Sequence, residues 1–368
     1  MNKTTIGEAC HRFSSGDSIK ASEINKKSLY PVYGGNGIRG YCNKTNFDGE
    51  CAIIGRQGAQ CGNVRYFKGK AFMTEHAIVA VANEKNISGY LALKLKTMNL
   101  GRYQGQSAQP GLSVKTLSSI EMVVHSKAEQ EKIFNVINTI DNKIENNNRI
   151  KDELESMSKT LYNYWFLQFE FPNEEGKPYK SSGGKMVWNE ELKREIPEGW
   201  ELKHAYEIAD IKTGKEDANH STENGKYPFF TCSNDILRCD DYKFEGNVIL
   251  IAGNGDFNVK HYNGKFNAYQ RTYVIKPYDE KYIGLFHICC NQTVEQFKKG
   301  SNGSIVKFIT LSDIQNVKML DCKNDNLLTT FNKSLEQIDC LKKENEELLS
   351  LRDFLLPMLM NGQVTFKS

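Results

Sequence analysis

Two hydrophobic patterns alternate along the chain. From Thr4 to about Val124, short apolar runs such as Ala77–Val81 lie between clusters of Gly and Asn, which is typical of β-strands joined by turns. From Lys127 to about Phe169, apolar positions recur every three or four residues, which predicts a long amphipathic helix. The same order returns after residue 200. We therefore predict two mixed, mostly β units, each followed by a long helix.

The two halves also share local sequence at an offset of about 197 residues. Tyr30-Pro31 corresponds to Tyr227-Pro228, and Thr116–Ile120 (TLSSI) corresponds to Thr310–Ile314 (TLSDI). The loops between these landmarks have diverged. A duplicated unit with diverged loops indicates one task carried out on two different targets.

Each predicted helix carries an apolar stripe that is too narrow to be buried alone. A helix of about 40 residues would be roughly 60 Å long, far more than a small domain needs for its own core. We expect the two helices to pair as an antiparallel coiled coil, since this would place the β units at opposite ends. The expected core positions are Ile133, Ile137, Ile140, Ile144, Leu154, Phe331, Leu335, Ile338, Leu348 and Leu355.

These patterns divide the chain into five segments. The first β unit spans residues 1–125, the first helix 126–172, a linker 173–200, the second β unit 201–320, and the second helix with the C-terminal segment 321–368. The linker contains turn-forming Gly, Pro and Ser residues. Because it also contains Trp188 and Trp200, we expect it to be ordered.

Composition narrows the class of protein. Hydrophobic residues make up 39% of the 368 residues, and the longest apolar runs are far shorter than a membrane span. Since the N-terminus has no apolar signal core, we expect a cytoplasmic protein with no membrane contact. The ten cysteines are scattered without a Cys-x-x-Cys pair, so reduced thiols and no metal site are expected, even though His287 lies close to Cys289-Cys290.

Charge is unevenly distributed. Residues 1–125 contain 16 Lys and Arg against 8 Asp and Glu, a net charge of +8, whereas residues 201–320 contain 15 of each. A positive first unit suits a phosphate backbone, although many basic surfaces contact no nucleic acid.

Catalytic signatures are missing from the sequence. It contains no Gly-x-x-x-x-Gly-Lys-[Ser/Thr] loop, no dinucleotide-binding fingerprint that opens a helix, and no serine or cysteine in a nucleophile elbow. The pattern therefore favours a recognition protein over an enzyme.

Several segments resemble one known family. They are the duplicated halves, the loop Tyr33–Tyr41 (YGGNGIRGY), the linker end Ile196–Trp200 (IPEGW), and above all Leu355–Val364 (LLPMLMNGQV). Together they are similar to the specificity subunit of type I restriction-modification enzymes, over nearly the whole chain. The resemblance implies an α+β fold in which a long antiparallel two-helix coiled coil separates two target-recognition domains, as a pseudo-twofold internal repeat.

The resemblance also implies a function and partners. Each domain would read one half of a bipartite sequence in double-stranded DNA, and the helices would set the spacing and dock two modification (methyltransferase) subunits. This chain would have no activity and no cofactor of its own. S-adenosylmethionine would be bound by the modification subunits, and ATP and Mg²⁺ would be needed by a separate restriction (motor-nuclease) subunit.

Loop residues of suitable chemistry are the predicted DNA contacts, because Arg suits guanine and Asn or Gln suits adenine. The first unit offers Arg39, Arg56, Gln57, Gln60, Arg65, Arg102, Gln104 and Gln106. The second unit offers Asn254, Asn258, Lys260, Arg271, Lys299 and Asn302. Arg56, Gln57 and Gln104 are the strongest candidates because they flank glycines.

Partner docking is expected to use apolar residues near the helix ends, namely Tyr162, Tyr164, Trp165, Phe166, Met358, Leu359 and Met360. Burial of these residues against the linker is an equal alternative. Two other functions stay open from the sequence: a stand-alone two-headed DNA-binding regulator, and a carbohydrate- or protein-binding adaptor, which the neutral second unit would permit.

Overall fold

A computed structural model of the chain describes residues 1–58, 61–105, 111–255, 257–299 and 308–366. The chain divides into two compact units. Unit 1 comprises residues 1–146 and 345–368, and unit 2 comprises residues 147–344. Each unit therefore contains one β domain together with part of both long helices.

Unit 1 is built on a mixed six-stranded sheet in the order β2-β7-β5-β6-β3-β4, in which only the β3–β6 pair is parallel. Strands β1 and β8 form a separate antiparallel pair. The strands β1–β8 are Asn2–Thr5, Cys10–Ser15, Tyr30–Gly34, Gly37–Cys42, Phe47–Gly55, Val64–Met73, Ala77–Ala82 and Glu121–Val124. The helices α1–α3 are Ser88–Thr97, Val114–Ser118 and Lys127–Tyr162.

Unit 2 repeats this topology, with a sheet in the order β12-β17-β15-β16-β13-β14 and a separate β11–β18 pair. The strands β9–β18 are Met186–Asn189, Arg194–Pro197, Glu201–His204, Ala209–Thr213, Tyr227–Phe230, Leu237–Cys239, Phe244–Ala252, Val259–Ala268, Thr272–Pro277 and Lys318–Asp321. The helices α4–α7 are Ala205–Ile208, Ile283–Lys299, Leu311–Gln315 and Asp325–Met360. The repeated mixed-sheet domains that the sequence predicted are confirmed.

The central strands are continuous apolar runs because both of their faces are buried. In β5, Ala52 and Ile54 pack in a cluster with α1, while Cys51 and Ile53 pack in a second cluster. In β15, Ile249 and Ile251 pack with α5, while Val248 and Leu250 pack on the other face.

The long helices pair antiparallel within each unit. In unit 1, Ile133 and Ile137 belong to one cluster with Leu356 and Leu359, and Asp141 accepts a hydrogen bond of 3.1 Å from Arg352. Asp141 comes after Ile133 and Ile137 in α3, whereas its partner Arg352 comes before Leu356 and Leu359 in α7. The two helices therefore run in opposite directions.

The pairing in unit 2 has the same direction. Asn147 Nδ2 donates to Glu344 Oε2 at 2.7 Å, and the Trp165 ring lies 5.7 Å from that of Phe331. Of the predicted core positions, six are buried and four are half-buried. The buried ones are Ile133, Ile137, Ile140, Phe331, Leu335 and Ile338; the half-buried ones are Ile144, Leu154, Leu348 and Leu355.

The segment after α3 is ordered, with a π-helical turn at Asn163–Leu167 and a β9–β10 hairpin. Trp200 packs on Phe166 and Phe171, with ring centroids 5.0 and 4.8 Å apart. Trp188 is 58% exposed, so it does not anchor the linker as its presence suggested.

Of the two alternatives for the apolar residues near the helix ends, burial applies at three positions. Phe166, Leu359 and Met360 are buried, because Phe166 packs between Trp200 and Phe331 and the other two complete the core of unit 1. Tyr164 is 40% exposed.

Candidate nucleic-acid interface

In unit 1, the turn between β5 and β6 is the centre of the predicted site. Arg56 opens this turn, and its Nε donates to Leu112 O at 3.3 Å while Nη1 lies 3.4 Å from both Ser15 Oγ and Glu75 O. The guanidinium therefore connects three segments of the unit. These contacts indicate that Arg56 stabilises the arrangement of the three segments. Its contact with DNA stays a prediction.

Arg39 lies on β4 of the β3–β4 hairpin, and Arg65 is the second residue of β6. Arg65 Nη2 donates to Asn36 O at 3.2 Å, and a Cβ at Gly37 would lie 2.4 Å from Arg65 Nη1. A Cβ at Gly34 would lie 2.6 Å from Arg39 Cδ. The glycines leave room for both side chains, and Arg39 and Arg65 are exposed.

Gln57 and Gln104 lie on neighbouring backbone segments. Gln57 is exposed and forms a β-bridge with Gly111, whose carbonyl accepts a hydrogen bond of 3.1 Å from the N–H of Gly105. Gln104 is also exposed. Gln60 and Gln106 lie outside the described residues.

Arg102 borders the same turn. It follows Gly101, whose nitrogen would be 2.2 Å from a Cβ at Gly62, so the β5–β6 turn and this segment are in close contact. The exposed Arg102 side chain lies over the ring of Tyr103, 4.8 Å from its centroid, and donates to its hydroxyl at 2.7 Å. The structure thus gathers Arg39, Gln57, Arg65, Arg102 and Gln104 around one set of glycine-rich loops.

In unit 2, the equivalent turn between β15 and β16 is arranged differently. Asn258 Nδ2 donates to Cys232 O at 2.9 Å, and Lys260 Nζ donates to Ser233 O at 2.6 Å. Burial lowers the pKa of Lys260. Both side chains hold the segment after β13 in place, so they have a structural role that the sequence did not indicate.

Other predicted residues of unit 2 are more accessible. Asn254 is half-buried in the β15–β16 turn. Arg271 is exposed, and its guanidinium lies 5.4 Å from the ring centroid of Phe308. Lys299 is exposed at the end of α5, and Asn302 lies outside the described residues.

Two exposed apolar residues at these loops were not predicted. Ile38 precedes Arg39 and is 51% exposed, and Phe308 beside Arg271 is 56% exposed. Apolar side chains can contact the thymine methyl group in the major groove. For Ile38, the sequence did offer a signal: an apolar residue lies inside a Gly- and Asn-rich turn.

Among the described residues, no helix has both the length and the apolar character needed to cross a bilayer. The duplicated fold defines the class of protein: a chain with two related mixed-sheet domains, each followed by a long helix.

The chain belongs to the family described as "Type I restriction modification DNA specificity domain", whose model matches residues 1–156 and 197–319. Specificity subunits of type I restriction-modification systems are non-catalytic. The family resemblance predicted from the sequence is thereby confirmed.

Two relatives agree with this assignment. The chain is 32% identical over 177 residues to the specificity subunit of the type I restriction enzyme EcoDI of Escherichia coli, covering 46% of this chain and 40% of the relative. It is 37% identical over 173 residues to that of EcoprrI, also of Escherichia coli, covering 45% and 43%. The matches thus span less than half the length of these two relatives.

The fold is similar to that of a type I restriction-modification system S subunit from M. genitalium, with a TM-score of 0.73 at 18% identity over 97% of this chain and 95% of that one. This likeness supports the fold.

Proposed function

We propose that the chain is the DNA-reading subunit of a type I restriction-modification complex. The observation that carries the proposal is the set of exposed Arg39, Gln57, Arg65 and Gln104 side chains around glycine-rich loops of unit 1, in a chain whose family is defined by DNA specificity. Such side chains can donate to guanine or form paired hydrogen bonds with adenine.

The two domains would read unlike half-sites, because equivalent positions carry different chemistry. Strand pairing aligns Arg65 with Lys260 and Gly40 with Leu237. Arg39 and Ile236 each come one residue before the second pair of equivalent positions. Arg65 is exposed, whereas Lys260 is tied to Ser233; Arg39 is a cation, whereas Ile236 is apolar and 46% exposed. One base sequence cannot satisfy both surfaces.

The chain would work in a complex with modification and restriction subunits. Residues 1–125 and 201–320 act as target-recognition domains, and the helices within 126–172 and 321–368 set the gap between half-sites and dock two modification subunits. Those subunits bind S-adenosylmethionine, a restriction subunit uses ATP and Mg²⁺, and the complex works in the cytoplasm.

The test is to map methylated adenines in cells that express the chain with its modification subunit. We expect a bipartite motif with an unread gap that disappears when the gene for this chain is deleted. A single contiguous motif, or methylation that does not depend on this chain, would refute the proposal.

Single substitutions then assign the half-sites. Arg65→Ala should cost about 1–3 kcal/mol of discrimination, roughly a 5- to 150-fold loss, at the first half-site only. Arg271→Ala should affect only the second. Lys68→Ala is the matched control, since Lys68 is an exposed cation in the middle of β6 that pairs with Glu50 at 2.8 Å. Equal effects of all three on both half-sites would contradict the assignment.

A further inference from the structure

A cluster of potential metal ligands lies at the edge of the unit 2 sheet, away from the β15–β16 turn. His220 precedes β13, Cys239 ends β14, and Asp241 follows it. One ligand atom from each of the three lies within 4.8 Å of the others. His220 Nε2 lies 2.6 Å from Asp241 Oδ1, and Cys239 is buried.

The other ring nitrogen of the histidine has a carboxylate partner. His220 Nδ1 lies 3.4 Å from Glu216 Oε2, and Glu216 also pairs with Lys243. Histidines that bind metals characteristically donate their second N–H to a carboxylate, which fixes the ring and makes it a better ligand. The buried amide of Asn267 donates to Asp241 Oδ1 at 3.3 Å, so the carboxylate is held as well.

The equivalent position in unit 1 has the same backbone arrangement but different side chains. It therefore serves as a comparison within the same chain. The register of the paired strands aligns Cys42 with Cys239, and Lys44 then corresponds to Asp241. Both cysteine Sγ atoms lie 3.1 Å from the carbonyl of the residue two positions later.

In unit 1, Lys44 forms a 2.7 Å salt bridge with Glu23. Glu23 ends a 3-10 turn, Ala21–Glu23, before β3, and His220 ends the equivalent turn, Ala218–His220, before β13. Phe72 occupies the strand position of Asn267 and lies under the Lys44 ammonium at 5.4 Å. Unit 1 therefore places an ammonium group where unit 2 places a carboxylate.

We propose that His220, Cys239 and Asp241 bind a borderline-soft divalent cation, with Zn²⁺ as the best fit. Nitrogen, thiolate and carboxylate oxygen are the donors that Zn²⁺ takes in proteins, and three protein ligands leave a fourth position for water. The Asp241 side chain is 52% exposed, which gives the ion a route of entry. Such an ion joins the segment before β13 to the end of β14.

Binding is coupled to proton release. The Cys239 thiol gives its proton to solvent as the Sγ–metal bond forms, because the thiolate is the form that binds the cation. The imidazole and carboxylate ligands contribute lone pairs, and no electron transfer takes place.

The experiment uses the untagged full-length chain, titrated with Co²⁺ as a spectroscopic substitute for Zn²⁺. We expect saturable binding with a thiolate-to-cobalt charge-transfer band, release of protons into weak buffer, and displacement by Zn²⁺. Cys239→Ser should remove the band, whereas the matched variant Cys42→Ser should keep it.

Two further variants keep the test decisive if Cys239→Ser folds poorly, which circular dichroism would show. Asp241→Lys introduces the residue found in unit 1 at an accessible position and should abolish binding. Glu216→Gln should weaken it about 10-fold. Absence of the band in the unmodified chain, or a band that survives Asp241→Lys, would overturn the proposal.

Discussion

At the residue scale, the sequence located the glycine-rich loops but could not separate side chains that face solvent from those that hold the loops in place. Gln57 and Gln104, which flank glycines, are exposed, and so is Arg65. Arg56 and Lys260 were predicted DNA contacts as well, yet they are bound to protein carbonyl groups. The partners of Arg56 are up to 56 residues away in sequence, so no local pattern reveals them.

This difference predicts opposite effects for two arginines. Arg56→Ala should destabilise the protein by about 1–3 kcal/mol, because it removes a guanidinium that pairs with partly buried oxygens. Arg65→Ala should change stability by less than about 0.5 kcal/mol, as expected for an exposed side chain, while impairing DNA discrimination. Urea unfolding measures the first effect and methylation mapping the second. A stable Arg56→Ala protein with altered specificity would show that Arg56 reads DNA.

A second residue-scale prediction concerns acid stability. Burial lowers the pKa of His287 to about 3; the charges of His261 and Lys342 act in the same direction and Asp339 opposes them. The unfolded chain takes up this proton near the usual value of 6.5, whereas the folded chain does not. The neutral ring therefore favours folding above pH 6.5, and this contribution is lost as pH falls from 6.5 toward 3.

The free energy of unfolding can fall by at most about 1.4 kcal/mol per pH unit from this group. The decrease will be smaller because His287 keeps some contact with solvent. We expect His287→Gln to lose less stability than the unmodified chain between about pH 7 and pH 5. Urea unfolding at both pH values measures this. Identical pH dependence in the two proteins would rule out His287 as the source.

At the element scale, the strands and long helices follow from periodicity, but the helices inside the β units do not. Helix α1 is buried around most of its surface, including Tyr90, Leu91, Ala92, Leu93 and Leu95. A helix that is buried on all sides has no polar stripe, so its sequence lacks the amphipathic period that marks a helix. The sequence therefore predicted a more purely β unit than the one observed.

Packing of these short helices on the long ones depends on a glycine in each copy. A Cβ at Gly284 would lie 2.5 Å from the carbonyl carbon of Phe331 and 2.6 Å from the backbone nitrogen of Asn332. A Cβ at Gly89 would instead meet the ring of Phe134 at 2.3 Å. Backbone atoms cannot move aside as easily as a ring can.

Gly284→Ala should therefore destabilise the protein by about 1–3 kcal/mol through overpacking, and Gly89→Ala should cost less. Thermal and urea unfolding measure both changes. Gly105→Ala is the neutral control, because nothing lies within 4 Å of the position of its Cβ. If Gly284→Ala were as stable as the control, close approach of α5 to α7 would not matter for folding.

At the scale of the whole molecule, the boundary between the two units falls inside both long helices, at residues 146/147 and 344/345. Asn147 is buried there and donates to Glu344 at 2.7 Å. A buried polar pair in a coiled coil fixes the register of the helices, because slippage would leave polar groups without partners. The sequence showed the polar interruption at Asn146–Asn148 but not its partner on the other helix.

If the helices set the gap in the DNA target, lengthening both at this boundary should lengthen the gap. Seven residues inserted after Asn146 and seven after Glu344 preserve the heptad register within each unit. They add about 10.5 Å of helix, which corresponds to at most about 3 base pairs at 3.4 Å per step. We expect both half-sites to stay the same while the unread gap grows, as measured by methylation mapping of the complex.

The control inserts seven residues after Asn146 alone. Only one helix is then longer, so the register that aligns Asn147 with Glu344 and Asp141 with Arg352 cannot be kept in both units, and the protein should be destabilised. The double insertion should restore the stability that the single insertion removes. A stable double-insertion protein that methylates the original motif with its original gap would show that the helices do not determine the spacing.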